Sequence, residues 1–174
     1  MENGDVLPDN VYLLEPTDQE GLNRLPYTSV TVETPTRFPY EGIAFARGNC
    51  GVSISRSGEA MEHALRQCCR SIRIGKMLLA DDTRLLYARL MPDIAQRRVL
   101  LLYPLLSSGR TVIKAVSVLV ENNVLEGNIL LLTLFSTPSS IKKIMSQFPA
   151  MSILTSDINA CIPYHFATKY FGTD

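Results

Sequence analysis

The segment from Val99 to Val120 constrains the fold more than any other part of the chain. An apolar run, Val99-Leu100-Leu101-Leu102, passes through Tyr103-Pro104-Leu105-Leu106 into Ser107-Ser108-Gly109-Arg110-Thr111, and then into a second apolar stretch. A short, continuous apolar run reads as a strand covered on both faces. The spacing of Val112, Ile113, Val116, Leu119 and Val120 reads as a helix, which Asn122 and Asn123 can end. A tight loop that leaves a strand and opens a helix points several unpaired backbone N–H groups one way. Hydroxyls add donors, and the positive end of the helix dipole lies behind them, which makes a cradle for phosphate. Ser107, Ser108, Gly109, Arg110 and Thr111 are therefore the candidate phosphate ligands. The strand ends in Tyr103 and Pro104, where enzymes that use such a cradle on a sugar phosphate usually carry carboxylates.

A second strand, loop and helix precedes this one. Gly51-Val52-Ser53-Ile54 leads through Ser55-Arg56-Ser57-Gly58-Glu59 into a helix with Met61, Ala64, Leu65 and Cys68 on one face. Ile74 to Leu79 and Leu85 to Leu90, joined by Asp81-Asp82-Thr83-Arg84, read as a hairpin that projects as a flap. Further on come an apolar strand from Ile129 to Phe135, a short helix from Pro138 to Gln147 and a strand from Met151 to Leu154. Upstream, Val30 and Val32, then Phe38, Tyr40, Ile43 and Phe45, alternate with polar residues and predict a pair of short strands. The alternation predicts an α/β domain over residues 21–174, with a mainly parallel sheet covered by helices and ligands at the carboxyl ends of the strands. Residues 1–20 combine Gly4, Pro8 and Pro16 with one apolar patch and read as a poorly ordered acidic arm.

Composition narrows the function. Lysine plus arginine and aspartate plus glutamate number 17 each, so no long-range field favours nucleic acid or an anionic membrane. The apolar runs are well short of the ~18 to 20 residues that span a bilayer. No Lys or Arg precedes Arg24, whereas Glu2, Asp5, Asp9, Glu15, Asp18 and Glu20 are acidic, the reverse of a signal or transit peptide. The expected location is cytoplasmic, with the nucleus also open. Cys50, Cys68, Cys69 and Cys161 lack C-x-x-C spacing, and with only His63 and His165 beside them they read as reduced thiols, not a zinc site.

Several motifs together resemble one family. Cys50-Gly51-Val52-Ser53-Ile54, Arg56-Ser57-Gly58-Glu59-Ala60-Met61-Glu62, Arg73-Ile74-Gly75-Lys76 and the terminal Tyr170-Phe171-Gly172-Thr173 resemble uracil phosphoribosyltransferases in order and spacing, over roughly Glu20 to Asp174. The resemblance implies a type I-like phosphoribosyltransferase fold. It also implies the reaction of pyrimidine salvage, in which uracil and phosphoribosyl pyrophosphate give UMP and pyrophosphate with Mg²⁺, and a dimer or tetramer; a homodimer is the state expected here. By position, Ser107 to Thr111 match the family's 5′-phosphate loop and Arg56 matches its pyrophosphate-holding arginine. Arg110 replaces a glycine of that loop, where a required positive φ would strain it and its guanidinium would add a charged donor.

Two departures touch the chemistry. Tyr103 stands where the family grips the ribose hydroxyls with an acid, and losing a hydrogen bond to a charged group costs about 1.5–3 kcal/mol, roughly ten- to a hundred-fold in rate. The base-binding loop is shortened to Pro163, Tyr164, His165 and Phe166, which removes partners for the polar edge of uracil. A lone histidine among aromatics more often packs or caps than carries a proton, so His165 is assigned no catalytic role. Both departures place the chain nearer to the divergent animal homologues of the family than to its microbial enzymes. Three functions follow for testing: an active transferase, a binder of phosphoribosyl pyrophosphate, UMP or uracil with little or no transfer, and a non-catalytic interaction or oligomerisation subunit. The second is favoured, with no protein metal ligand and no catalytic residue assigned.

Overall fold

The computed structural model describes residues 11–45 and 48–161. In chain order these form helix α1 (Val11–Asn23), strands β1 (Tyr27–Glu33), β2 (Pro39–Phe45) and β3 (Asn49–Ser55), helix α2 (Glu59–Cys68), strands β4 (Arg73–Leu79), β5 (Leu85–Arg89), β6 (Arg98–Leu102) and β7 (Leu105–Leu106), helix α3 (Arg110–Glu121), strand β8 (Ile129–Ser136), helix α4 (Pro138–Gln147) and strand β9 (Ser152–Ile158). The main sheet has the order β5-β4-β3-β6-β8, with β9 on the outer side of β8. Every pairing in it is parallel except β4 with β5, which closes the predicted hairpin at one sheet edge. Strand β7 continues the line of β6 after a jog at Tyr103-Pro104 and pairs with Phe135 and Ser136 of β8.

Alternation along the strands builds a core on each face. On one face Val52, Ile54, Val99, Leu101, Ile129 and Leu131 pack with Val112, Ala115, Val116 and Leu119 of α3 and Ile144 of α4. On the other, Leu100, Leu102, Leu132 and Leu134 pack with Ala60, Met61, Ala64 and Leu65 of α2 and Leu25 after α1. The mainly parallel α/β architecture inferred from the apolar runs is the one observed.

Residues 11–20 differ from the expected poorly ordered arm, because they belong to α1. Pro16 and Gly21 are poor helix formers, so local propensity argues against a helix here. Packing reverses it: Thr17 and Asp18 are buried, and a side-chain carbon at Gly21 would lie 2.7 Å from both terminal methyls of Leu132. The strand pair β1–β2 is present and antiparallel, Val32 facing Tyr40, but it forms a separate two-stranded ribbon.

Candidate phosphate-binding site

Strands β3 and β6 are parallel neighbours, with Ser53 in register with Leu102. The Ser55 to Gly58 loop after β3 and the Ser107 to Gly109 loop, reached from β6 through β7, therefore both lie at the carboxyl ends of these parallel strands. The first loop packs tightly on the strand ends: a side-chain carbon at Gly58 would sit 2.7 Å from the Leu102 carbonyl and 2.8 Å from Ser53 Oγ. Only glycine lets the first loop seat against the end of β6. The turn is closed by Gly58 N–H donating to Ile54 O at 2.8 Å and Glu59 N–H donating to Arg56 O at 2.9 Å. Arg56 lies exposed in this turn, and Ser55 Oγ donates to Glu59 Oε1 at 3.3 Å. Lys76 of β4 faces the same helix start, 3.5 Å from Glu59 Oε1 and 3.2 Å from Glu62 Oε2.

The second loop has its special conformation at one residue. Gly109 caps α3 with φ of 72°, in the left-handed region that favours glycine. Arg110 is already the first helical residue, and Ile113 N–H donates to Gly109 O at 2.9 Å. The strain expected for Arg110 is thus absent, because the positive φ falls one position earlier. Ser107, Ser108 and Arg110 are exposed, Thr111 is half-buried, and Gly109 is buried. The Arg110 side chain lines a cleft between α3 and α4.

Groups far away in sequence hold this loop. Thr137 Oγ1 donates to Ser107 O at 2.7 Å, Ser140 Oγ donates to Leu106 O at 2.9 Å, and Thr137 N–H donates to Leu106 O at 3.0 Å. Thr137 also caps α4, accepting from Ser140 N–H at 3.2 Å. The Thr137-Pro138 pair is a visible helix start in the sequence. Its second task, carrying the stem of the Ser107 to Gly109 loop, is a tertiary fact with no local signal. The jog before the loop is held similarly, Pro104 O accepting from Leu134 N–H at 3.0 Å, Phe135 N–H at 3.1 Å and Thr133 Oγ1 at 3.1 Å. Tyr103, which the resemblance sets at the ribose position, is half-buried and packed against the α3-side core.

Pro163, Tyr164, His165 and Phe166 lie outside the described residues. Asp18 escaped the sequence reading as anything but an arm residue. It is fully buried on α1, neither carboxylate oxygen has a hydrogen-bond partner, and burial pushes its pKa up to about 8. Burial likewise pushes the Cys50 thiol up to about 12, although the nearby Arg97 opposes the shift, so Cys50 packs as an inert apolar residue.

Residues 17–168 match the family model described as uracil phosphoribosyltransferase. The chain belongs to the uracil phosphoribosyltransferase family. It is 56% identical over 161 residues to the uracil phosphoribosyltransferase homolog of Gallus gallus, covering 90% of this chain and 58% of that protein. The homolog of Homo sapiens is 52% identical over 176 residues, covering 98% of this chain and 57% of that protein. The chain thus spans somewhat more than half the length of these relatives. A chloroplastic uridine/cytidine kinase of Arabidopsis thaliana is 42% identical over 169 residues, covering 90% of this chain and 35% of that protein. Among solved structures, a protein of Aquifex aeolicus superposes with a TM-score of 0.73 at 17% identity, over 84% of this chain and 71% of that one. The Giardia lamblia APRTase, in complex with 9-deazaadenine, gives 0.52 at 10% identity, over 82% of this chain and 97% of that one. At such identities these superpositions speak to the phosphoribosyltransferase fold alone. No described helix is long and apolar enough to cross a membrane.

Proposed function

We propose that this uracil phosphoribosyltransferase homologue binds phosphorylated ribose, as phosphoribosyl pyrophosphate or UMP, and transfers it to uracil weakly or not at all. The observation that supports the reading is that the Ser55 to Gly58 and Ser107 to Gly109 loops both follow the carboxyl ends of neighbouring parallel strands, with the half-buried Tyr103 packed against the core between β6 and β7. The Gly109 cap presents the amide end of α3 for a 5′-phosphate, with the Ser107 and Ser108 hydroxyls exposed beside it. In this reading Arg56, exposed in the turn after β3, meets the pyrophosphate. A tyrosine ring committed to packing leaves the two ribose hydroxyls without the carboxylate that would orient the sugar for transfer. Mg²⁺ enters as part of the phosphoribosyl pyrophosphate complex, held by phosphate oxygens and water.

Thermal unfolding with phosphoribosyl pyrophosphate plus Mg²⁺, and with UMP, tests binding. The wild type is expected to gain stability with ligand, and Arg56→Ala and Gly109→Val to lose that gain. No shift in the wild type removes the proposal. Incubation with uracil at high protein concentration then separates a binder from an enzyme, since rapid UMP formation contradicts weak transfer.

A specific observation favours a second role beside the first. The β1–β2 ribbon exposes Tyr27, Val32, Phe38, Tyr40 and Ile43, each between 51% and 71% accessible. Val32 and Tyr40 face each other across it, while Tyr27 and Ile43 belong to its opposite face, so apolar groups stand on both sides. An isolated two-stranded ribbon is marginal in water, and this one fits a subunit that pairs with a second copy of the chain.

A further inference from the structure

A cleft of about 270 Å³ opens between α3, α4 and the β4–β5 turn, lined by Arg110, Lys114, Lys143, Thr83, Ser117 and Gln147 above the apolar side chain of Ile113. Three of these side chains are cationic and none is acidic. Among the described residues, no ion pair or hydrogen bond holds the Arg110, Lys114 or Lys143 side chain. Of the turn's two carboxylates, Asp81 and Asp82, neither lines the cleft, and Asp82 is engaged by its neighbour: Oδ1 accepts from Arg84 N–H at 3.1 Å and Oδ2 lies 3.9 Å from Arg84 Nε.

The placement is electrostatically unfavourable for the protein alone. Arg110 and Lys114 are four residues apart, on one face of α3, where like charges repel. Both stand near the helix N-terminus, whose dipole is already positive, and the first turn of α3 contains no acid to balance it. Lys143 brings a third cation from α4 to the same hollow. An anion seated there relieves all of these repulsions together. The Thr83 hydroxyl and the Gln147 amide supply neutral donors, while Ser117 Oγ is engaged with Ile113 O at 3.0 Å. A single carboxylate balances one of the three charges, and a folded partner's surface does not enter a hollow of this size. A short chain of phosphates matches both charge and volume.

We infer that this cleft is a second anion site, for the di- or triphosphate portion of a ligand, separate from the Arg56 and Gly109 loops and bearing on them through Arg110, the residue next to Gly109. It does not depend on the function proposed above, since Arg56 is no part of it.

Lysine acylation of the full chain, followed by mass spectrometry, tests it with inorganic tripolyphosphate as the probe. Lys114 and Lys143 are expected to become protected severalfold, while Lys142, exposed one position away and outside the cleft, reacts as before. Arg110→Gln is expected to raise the tripolyphosphate concentration for half-protection about tenfold, and Arg56→Ala to leave it unchanged. A nucleoside triphosphate run in parallel identifies the source: half-protection at lower concentration assigns a nucleotide-borne phosphate chain, and equal or higher concentration a free one. Absence of protection, equal protection of Lys142, or loss of protection in Arg56→Ala overturns the inference.

Discussion

Asp18 is the residue with the plainest thermodynamic consequence. Its carboxyl is fully buried without a hydrogen-bond partner, and burial raises its pKa to about 8. In the unfolded chain an aspartate titrates near 3.9. Between those two values the folded state keeps a proton that the unfolded state releases. Stability therefore falls as pH rises through this window, by as much as about 1.4 kcal/mol per pH unit, and levels off above the folded pKa. Below about pH 4 both states are protonated and the contribution vanishes. Asp18→Asn is expected to remove this slope, so that its stability advantage over the wild type grows from pH 5 to pH 8 in urea titrations. Parallel profiles for the two proteins contradict the assignment. At Gly58, where the Leu102 carbonyl leaves no room, Gly58→Ala is expected to cost about 1–3 kcal/mol by overpacking, read from the urea midpoint.

At the scale of elements, the Ser107 to Gly109 loop, the candidate phosphate loop, depends on a helix that begins some thirty residues later. Thr137 caps α4 and donates to Ser107 O, and Ser140 reaches Leu106 O from the next turn. Replacing the hydroxyl removes the cap and frees the loop at once. Thr137→Val is expected to lose about 1–2 kcal/mol and to speed hydrogen exchange at the amides of Ser108, Gly109 and Arg110, with β3 and β6 still protected. Unchanged exchange in that loop refutes the link. Helix α1 teaches the complementary lesson, since Pro16 and Gly21 oppose it locally and its packing on α2 and β8 sustains it.

For the whole molecule, the exposed ribbon predicts association. The wild type is expected to form a dimer in light scattering at micromolar concentration, and the double variant Tyr40→Ser with Ile43→Ser to shift towards monomer with its core stability unchanged. A monomeric wild type excludes a second copy as the cover for the ribbon. The two loops at the strands' carboxyl ends do not depend on that outcome, because β3 and β6 are joined by their own ladder.

The sequence by itself determined the strands, the helices after them and the two loops, because continuous apolar runs and glycine-bearing turns act over a few residues and announce themselves locally. It also revealed the family, through the order and spacing of several short motifs, Arg56 to Glu62 among them. What only the tertiary structure decided are the relations between distant groups. The order of strands brings the Arg56 and Ser108 turns to the same end of the sheet, α1 survives its own proline and encloses Asp18, and Thr137 supports the Ser107 to Gly109 loop. Arg110, which the resemblance assigns to the 5′-phosphate loop, also lines the cleft with Lys114 and Lys143. The physical reason is one of range: backbone propensity and periodicity are written in neighbouring residues, whereas burial, close approach and shared charge arise from elements that meet only when the sheet is assembled.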